Sequence, residues 1–356
     1  MLIINDLINI RDFLAKNEVI IKIDFNRFIA NMIRIKEELN PEIENYLKDA
    51  GYLMPDEEIV QYQKAGEGNM NMVVRIITDV GKLILKQSRP YVNKYPQIEA
   101  PLDRIKVERS YYTIINENRL LKSYSPEIFD FDDEHYTLLM EDLGEGTDYL
   151  GIYSGGQIIS DEVLFQLIDY LLTLHTFQKI NFPDNNEMKV LNHQHIFNYP
   201  YLENNGFDLD TIQPGLQKMA LEYKTNEKLK AEVSQIGARY LGKGNVLLHG
   251  DFYPGSWLLT NNKIKVIDPE FAFMGDPEFD LGVMIASLYM ADRDNQIIEN
   301  CIAYYTSKAE LDRSLLYKYI GTEILRRVIG LAQLPLKKDL EFKSSLCKIA
   351  SRFILS

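Results

Sequence analysis

Cysteine is nearly absent from this chain of 356 residues: Cys301 and Cys347 are the whole supply, each in an apolar helical setting. Two such thiols exclude a disulfide-stapled scaffold and a cysteine-rich metal site. They read as small core residues in a reducing compartment. Positive charge is scarce as well, with 39 Lys and Arg against 52 Asp and Glu and a net charge of −13. That balance argues against a nucleic-acid partner, because a phosphate backbone demands basic patches. No apolar run approaches the length of a membrane span. The N-terminus carries Asp6, Arg11 and Asp12 without a basic leader, so no signal peptide is expected and a cytoplasmic location is. Histidine is limited to five residues. His193 and His195 lie close together, but with no cysteine or third histidine nearby they make only half a zinc site.

Apolar residues are plentiful, at 46%, and the length suits two lobes with a sizeable core. The stretch Val246–Gly282 holds the densest chemistry. Val246 to Leu248 reads as a short buried strand that delivers His249-Gly250-Asp251 into a loop. Trp257–Thr260 and Lys263–Ile267 flank Asn261-Asn262, a two-residue link that tolerates φ > 0 and suits a tight hairpin. The hairpin ends at Asp268-Pro269-Glu270, so Asp251 and Asp268 are expected at neighbouring strand ends facing one cleft. One carboxylate can accept a hydroxyl proton while the other holds Mg²⁺ on a nucleotide, the minimum equipment for phosphoryl transfer. Ser256, at the fifth position after Asp251, offers a further oxygen for a metal, though a poorer one than an amide carbonyl.

Before this stretch the pattern is mixed. Phe28, Ile29, Met32, Ile33 and Ile35 have helical spacing, and Asn40-Pro41 is a break. Ile59–Gln63, Met72–Thr78 and Leu83–Gln87 switch to the strand period. Between the first two lie Gly66, Gly68 and Asn69, where backbone N–H groups can approach a triphosphate. Lys86 sits among apolar residues and so needs anionic partners. Glu99, Glu108 and Glu117 are the candidates on or near a helix expected from Leu102 to Asn118 with Asp103 as N-cap. Tyr136–Met140 is a further strand, followed by Glu141-Asp142-Leu143-Gly144. Ser160 should cap a helix over 161–179, Asn198–Phe207 reads as a loop, and Asp280 should open a helix through Met290. Arg326 and Arg327 are adjacent on an apolar helix, where they point about 100° apart.

The run H-G-D-x4-S followed by I-D-P-E-F-A-F resembles the phosphotransferase superfamily of aminoglycoside and choline kinases. G-E-G-N-M-N, K-Q-x-x-P-Y-V, M-E-D-L and E-I-L-R-R-V-I-G-L-A resemble the 5-methylthioribose kinases within it. The likeness covers residues 60 to 335 in five ordered segments. It implies an α+β, bilobal protein-kinase-like fold, with an N-terminal lobe over 1–142 and a mainly helical C-terminal lobe over 143–356. It also implies ATP and Mg²⁺, a small-molecule hydroxyl substrate in methionine salvage, and a homodimer through the N-terminal arm. Carried over by residue, Lys86 would grip the phosphates with Glu108 as its partner, and Glu141 and Leu143 would meet adenine by backbone. Asp268, Glu270 and Ser256 would hold metal, Asp251 would be the base, and Arg326 and Arg327 would steady the transferring group or the sugar. Phe252, Tyr253 and Pro254 depart from the H-G-D-L-H-T-G-S of methylthioribose kinases, and Gly275–Asp280 stands nearer the aminoglycoside and choline pattern. Two alternatives therefore stay open: a kinase for another small alcohol, and a nucleotide-binding pseudokinase.

Overall fold

The computed structural model describes residues 31–66, 68, 70–177 and 181–356. Five antiparallel strands form the first sheet: β1 (Ile59–Lys64), β2 (Met72–Thr78), β3 (Lys82–Gln87), β6 (Ile128–Asp132) and β7 (Thr137–Glu141), in the order β1-β2-β3-β7-β6. A two-stranded ribbon, β4 (Tyr91–Val92) with β5 (Tyr95–Glu99), stands beside it. Strand alternation gives the sheet two distinct faces. Met72, Val74, Ile76, Leu85 and Leu139 pack on one side with Ile43 and Leu47 of helix α1 (Pro41–Asp49). Leu138, Met140 and Ile84 point the other way, onto Ile105 of helix α2 (Arg104–Ile115). Lys86 has the parity of Ile84, so it faces α2, which is where its partner must come from.

Several local expectations are corrected here. Residues 32–36 are not helical, Met32 lying in a bend and 33–36 in no regular element; Ile33 and Ile35 are buried in the core and held by Gln87, whose Oε1 accepts Ile35 N–H at 3.0 Å and whose Nε2 donates to Ile33 C=O at 2.7 Å. Phe28 and Ile29 lie outside the described residues. Asn40-Pro41 starts α1, with the Asn40 side chain accepting Ile43 N–H at 2.9 Å. Asp103 does not cap α2: its own backbone is already helical (φ −67°, ψ −4°), and its carboxylate pairs with Lys106 at 3.2 Å. Asn118 lies past α2 and caps the short helix α3 (Arg119–Tyr124).

The larger body is built on a second core dominated by helices. Strand β8 (Gly146–Asp148) pairs with β10 (Trp257–Thr260), which pairs with β11 (Lys263–Val266), and β9 (Val246–Leu248) pairs with β12 (Phe273–Gly275). Around these ribbons lie α4 (Asp161–Thr176), α5 (Asn186–His193), α6 (Leu216–Lys224), α7 (Glu227–Leu241), α8 (Pro277–Met290), α9 (Asn295–Thr306), α10 (Arg313–Ile329) and α11 (Leu340–Leu355). Ser160 caps α4, which ends at Thr176; residues 178–180, where the expected helix was to end, lie outside the described residues. Most of 198–201 is in short helical turns, leaving an open loop after Tyr201. α8 begins at Pro277, one turn before its expected start, and nearly every residue on it is buried. α10 packs between α8 and α11, bringing its C-terminal turn toward the loop after β9.

Candidate functional site

Two turns position the central carboxylates. After β9, Gly250 takes φ +83°, and a Cβ there would lie 2.1 Å from the Phe271 carbonyl oxygen. Only glycine fits both the left-handed backbone and that close approach. Asp280, in the first turn of α8 and fully buried, accepts the backbone N–H of His249 at 2.6 Å and of Gly250 at 3.0 Å. These two bonds fix the path of the chain into Asp251. A Gly250→Ala variant should lose at least ~1–2 kcal/mol from the left-handed backbone alone, with more lost to the overlap at Phe271. Denaturant unfolding checks this, and an unchanged midpoint would contradict the turn described.

The second turn follows the β10–β11 hairpin, where Asn261 and Asn262 both have the positive φ that the link requires. Asp268 itself is left-handed, at φ +63°, and leaves its side chain half exposed while touching Lys86. Lys86 Nζ reaches Asp268 Oδ1 at 2.6 Å, Glu108 Oε1 at 2.9 Å and Glu108 Oε2 at 2.7 Å. Burial lowers the lysine pKa, but the carboxylates of Asp268, Glu108 and Glu270 outweigh it and hold the ammonium charged. Of the three candidate partners the structure brings in Glu108. Glu99 is exposed on β5, and Glu117 lies beyond the end of α2.

A third group comes from α10. Arg327 Nη2 donates to Asp251 Oδ1 at 3.2 Å, and Arg326 Nη1 stands 3.9 Å from the same oxygen. Glu323, a residue sequence reading missed, lies one turn earlier and serves both guanidiniums. It accepts Arg327 Nε at 2.6 Å and Arg326 Nη1 at 3.1 Å. Arg326 Nη2 donates to Asn192 at 3.0 Å, and the Arg327 guanidinium lies over the Tyr253 ring at 5.0 Å. Burial pushes the Asp251 carboxyl above its ordinary value despite the pull of Arg327 and Arg326. For Glu323 the same two arginines win over burial and hold the carboxyl low. Burial together with Arg326 and Arg327 pushes neighbouring His195 down to about 4, so it is neutral at physiological pH. The second oxygen of Asp251 makes no hydrogen bond among the described residues and is open to a hydroxyl.

The remaining predicted residues are placed differently. Ser256 is buried, and its hydroxyl donates to the Asp251 carbonyl at 2.9 Å, closing the loop on itself. Glu270 is buried and its Oε2 is engaged by Asn71 Nδ2 at 2.9 Å and Arg104 Nε at 3.2 Å. Asp268 is thus the only one of the three proposed metal donors whose carboxylate is half exposed, and it is a hard oxygen of the kind Mg²⁺ takes together with phosphate oxygens. Among the described residues no three His, Cys, Asp or Glu side chains form a ready metal cage. At the end of β7, the Leu143 carbonyl accepts the Thr260 hydroxyl at 2.7 Å, while its N–H has no partner among the described residues. Arg75 pins this segment through Asp142 at 3.0 Å and the Gly144 carbonyl at 2.8 Å. Gly66, at φ +76°, and Gly68 stand in open space between β1 and β2; Asn69 lies outside the described residues. The arrangement joins a held ammonium, a half-exposed carboxylate and an arginine-flanked base, which suits transfer of a polyanionic group to a hydroxyl.

A family model described as a phosphotransferase enzyme family matches residues 61–316. Methylthioribose kinase 1 of Oryza sativa subsp. japonica is 27% identical over 245 residues, covering 64% of this chain and 56% of its own. The chain therefore spans little more than half the length of that relative. Methylthioribose kinase of Bacillus velezensis is 26% identical over 342 residues, covering 82% of this chain and 86% of its own. Among solved structures, choline kinase from Streptococcus pneumoniae superposes with a TM-score of 0.53 at 14% identity, over 88% of this chain and 98% of that one. A microcompartment-associated aminopropanol kinase gives the same TM-score of 0.53 at 14% identity, over 88% and 95% of the two chains. The expected α+β bilobal fold is the one these neighbours have.

Proposed function

The chain belongs to the phosphotransferase enzyme family, and from that premise we propose that it transfers the γ-phosphoryl group of ATP to a hydroxyl of 5-methylthioribose. The observation that carries this reading is the convergence of Arg326 and Arg327 on Asp251. An acceptor with its own positive charge would meet two guanidiniums beside the base, whereas a neutral polyhydroxyl sugar would find donors there. The relatives named methylthioribose kinase support the same acceptor.

In this reading Lys86, oriented by Glu108, contacts the α- and β-phosphates in place of its contact with Asp268. The loop bearing Gly66, Gly68 and Asn69 lies over the phosphates. The Glu141 carbonyl and the free Leu143 N–H meet adenine, and the boundary between the lobes falls at 142/143. Asp268 would hold Mg²⁺, which when bound neutralises phosphate charge. Asp251 orients the acceptor hydroxyl through its open oxygen and takes its proton, and Arg327 and Arg326 offset the negative charge on the group in transit. The net charge of −13 argues against a nucleic-acid partner, and among the described residues no helix is long and apolar enough to cross a membrane.

A second reading, a kinase for another small alcohol, is favoured by Tyr253, whose ring covers one face of Arg327 next to the base. ATP consumption against 5-methylthioribose, ribose, choline, homoserine and kanamycin separates the two. Selective turnover of 5-methylthioribose is expected. Turnover of another alcohol instead would overturn the acceptor, and silence on all five with ATP still bound would point to a pseudokinase.

A further inference from the structure

Arg104 is completely buried, and each of its three nitrogens donates a hydrogen bond. Nη1 donates to the Arg89 carbonyl at 2.7 Å and the Pro101 carbonyl at 2.6 Å; Nη2 donates to the Met70 carbonyl at 2.9 Å. Nε is shared between Asn71 Oδ1 at 3.0 Å and Glu270 Oε2 at 3.2 Å. Asn71 closes the triangle by donating to the same Glu270 oxygen at 2.9 Å. Met70 and Asn71 end the connection between β1 and β2, and Glu270 lies just past Asp268. The backbone of that second segment is separately fixed by Asn185, whose Nδ2 donates to the Glu270 and Ala272 carbonyls at 2.9 and 3.0 Å. Arg104 and Glu108 are one helical turn apart on α2, so the same helix face reaches Glu270 directly and Asp268 through Lys86.

We propose that Glu270 is a positioning residue and not a metal donor: with Asn71 and Arg104 it latches the glycine-bearing loop to the Asp268 turn. This rests on the reading of the site as a nucleotide site. A carboxylate that faces a guanidinium and an amide inside the protein has its charge satisfied there. Turning it toward a cation would leave Arg104 buried without its counter-charge, a costly arrangement. The latch acts before the nucleotide arrives. It holds the end of the loop in place, so less chain has to be ordered on binding.

The test compares the parent with Asn71→Ala, Glu270→Gln and the double variant, with Asp268→Asn as the metal-donor reference. Two quantities are read: ADP affinity by calorimetry at saturating Mg²⁺, and the Mg²⁺ midpoint for ADP binding. Asn71→Ala and Glu270→Gln should each weaken ADP by roughly tenfold, as for loss of a hydrogen bond to a charged group. Their Mg²⁺ midpoints should stay at the parent value, and the double variant should be no weaker than the worse single. Asp268→Asn should shift the Mg²⁺ midpoint. A Glu270→Gln midpoint displaced like that of Asp268→Asn would overturn the proposal, as would parent-like ADP affinity in Asn71→Ala. Failure of the parent to bind ADP would refute the nucleotide reading itself, a separate outcome. Circular dichroism of the shape-conserving Glu270→Gln variant guards against misfolding as the cause.

Discussion

Asp251→Ala should lower turnover by about 10²–10⁴-fold, the usual contribution of a positioned base, while ATP affinity stays at the parent value. The geometry argues for both halves. Among the described residues the Asp251 carboxylate pairs with Arg326 and Arg327, through one oxygen, and with no residue of the Lys86–Glu108–Asp268 group. Asp251→Asn keeps the shape and should lose as much activity, because an amide cannot take the proton. On the proposed role the ionised form is the working form, and burial places its pKa above the usual aspartate value. Turnover should therefore fall as pH drops through that raised value. Removing one positive neighbour, as in Arg327→Met, should move the acid limb to higher pH, since Arg327 is the largest influence pulling the carboxyl down. Near-parent turnover in Asp251→Asn would remove Asp251 as base.

Glu323→Gln should be the most damaging change outside the acceptor's reach. The carboxylate is buried and neutralises two guanidiniums, and deleting one partner of a buried charge cluster costs about 3–5 kcal/mol. A melting temperature lower by about 4–7 °C follows for a chain of this size. Arginine pairing depresses the Glu323 pKa in the folded protein. Its stabilisation is thus complete above the ordinary glutamate value and fades as pH falls through the depressed one, so the gap between parent and variant should close in acid. Activity should suffer too. Glu323 also raises the Asp251 pKa, so its loss makes Asp251 a weaker base and moves the acid limb to lower pH, opposite to Arg327→Met. Equal melting temperatures at neutral pH would contradict this account.

Much of this was legible in advance because it rests on short-range rules. The hairpin at Asn261-Asn262 needed only residues that accept positive φ, and both adopt it. The lysine in an apolar strand implied an anionic partner, and Glu108, one of three candidates, is the carboxylate found there. What escaped the sequence were partners supplied from far along the chain. Asn71 and Glu270 are 199 positions apart, and nothing local marks them as partners. Asp103 looked like a cap because its residue type favours caps, yet its backbone had already entered the helix and Lys106 took its charge. Ser256 was read as a metal oxygen from its spacing; that spacing did not announce the bond its hydroxyl donates to the Asp251 carbonyl. Glu323 had a usable signal: an acid three and four positions before paired arginines on an apolar helix.

The order in which these parts leave the ribosome has a consequence of its own. Lys86 and Glu108 emerge together, only 22 positions apart, and can pair as soon as the small sheet and α2 exist. Asp251 appears much later, and its counter-charges come later still, because Arg327 follows it by 76 positions. At about 5–20 residues per second of synthesis, there is an interval of several seconds in which the loop is made but α10 is not. A nascent chain in that interval has the Lys86–Glu108 pair without the helix that flanks Asp251. Chains interrupted before Glu323 would keep this state, with the Asp251 loop uncovered by its helix and no arginine beside it, and would be the forms that proteases clear first.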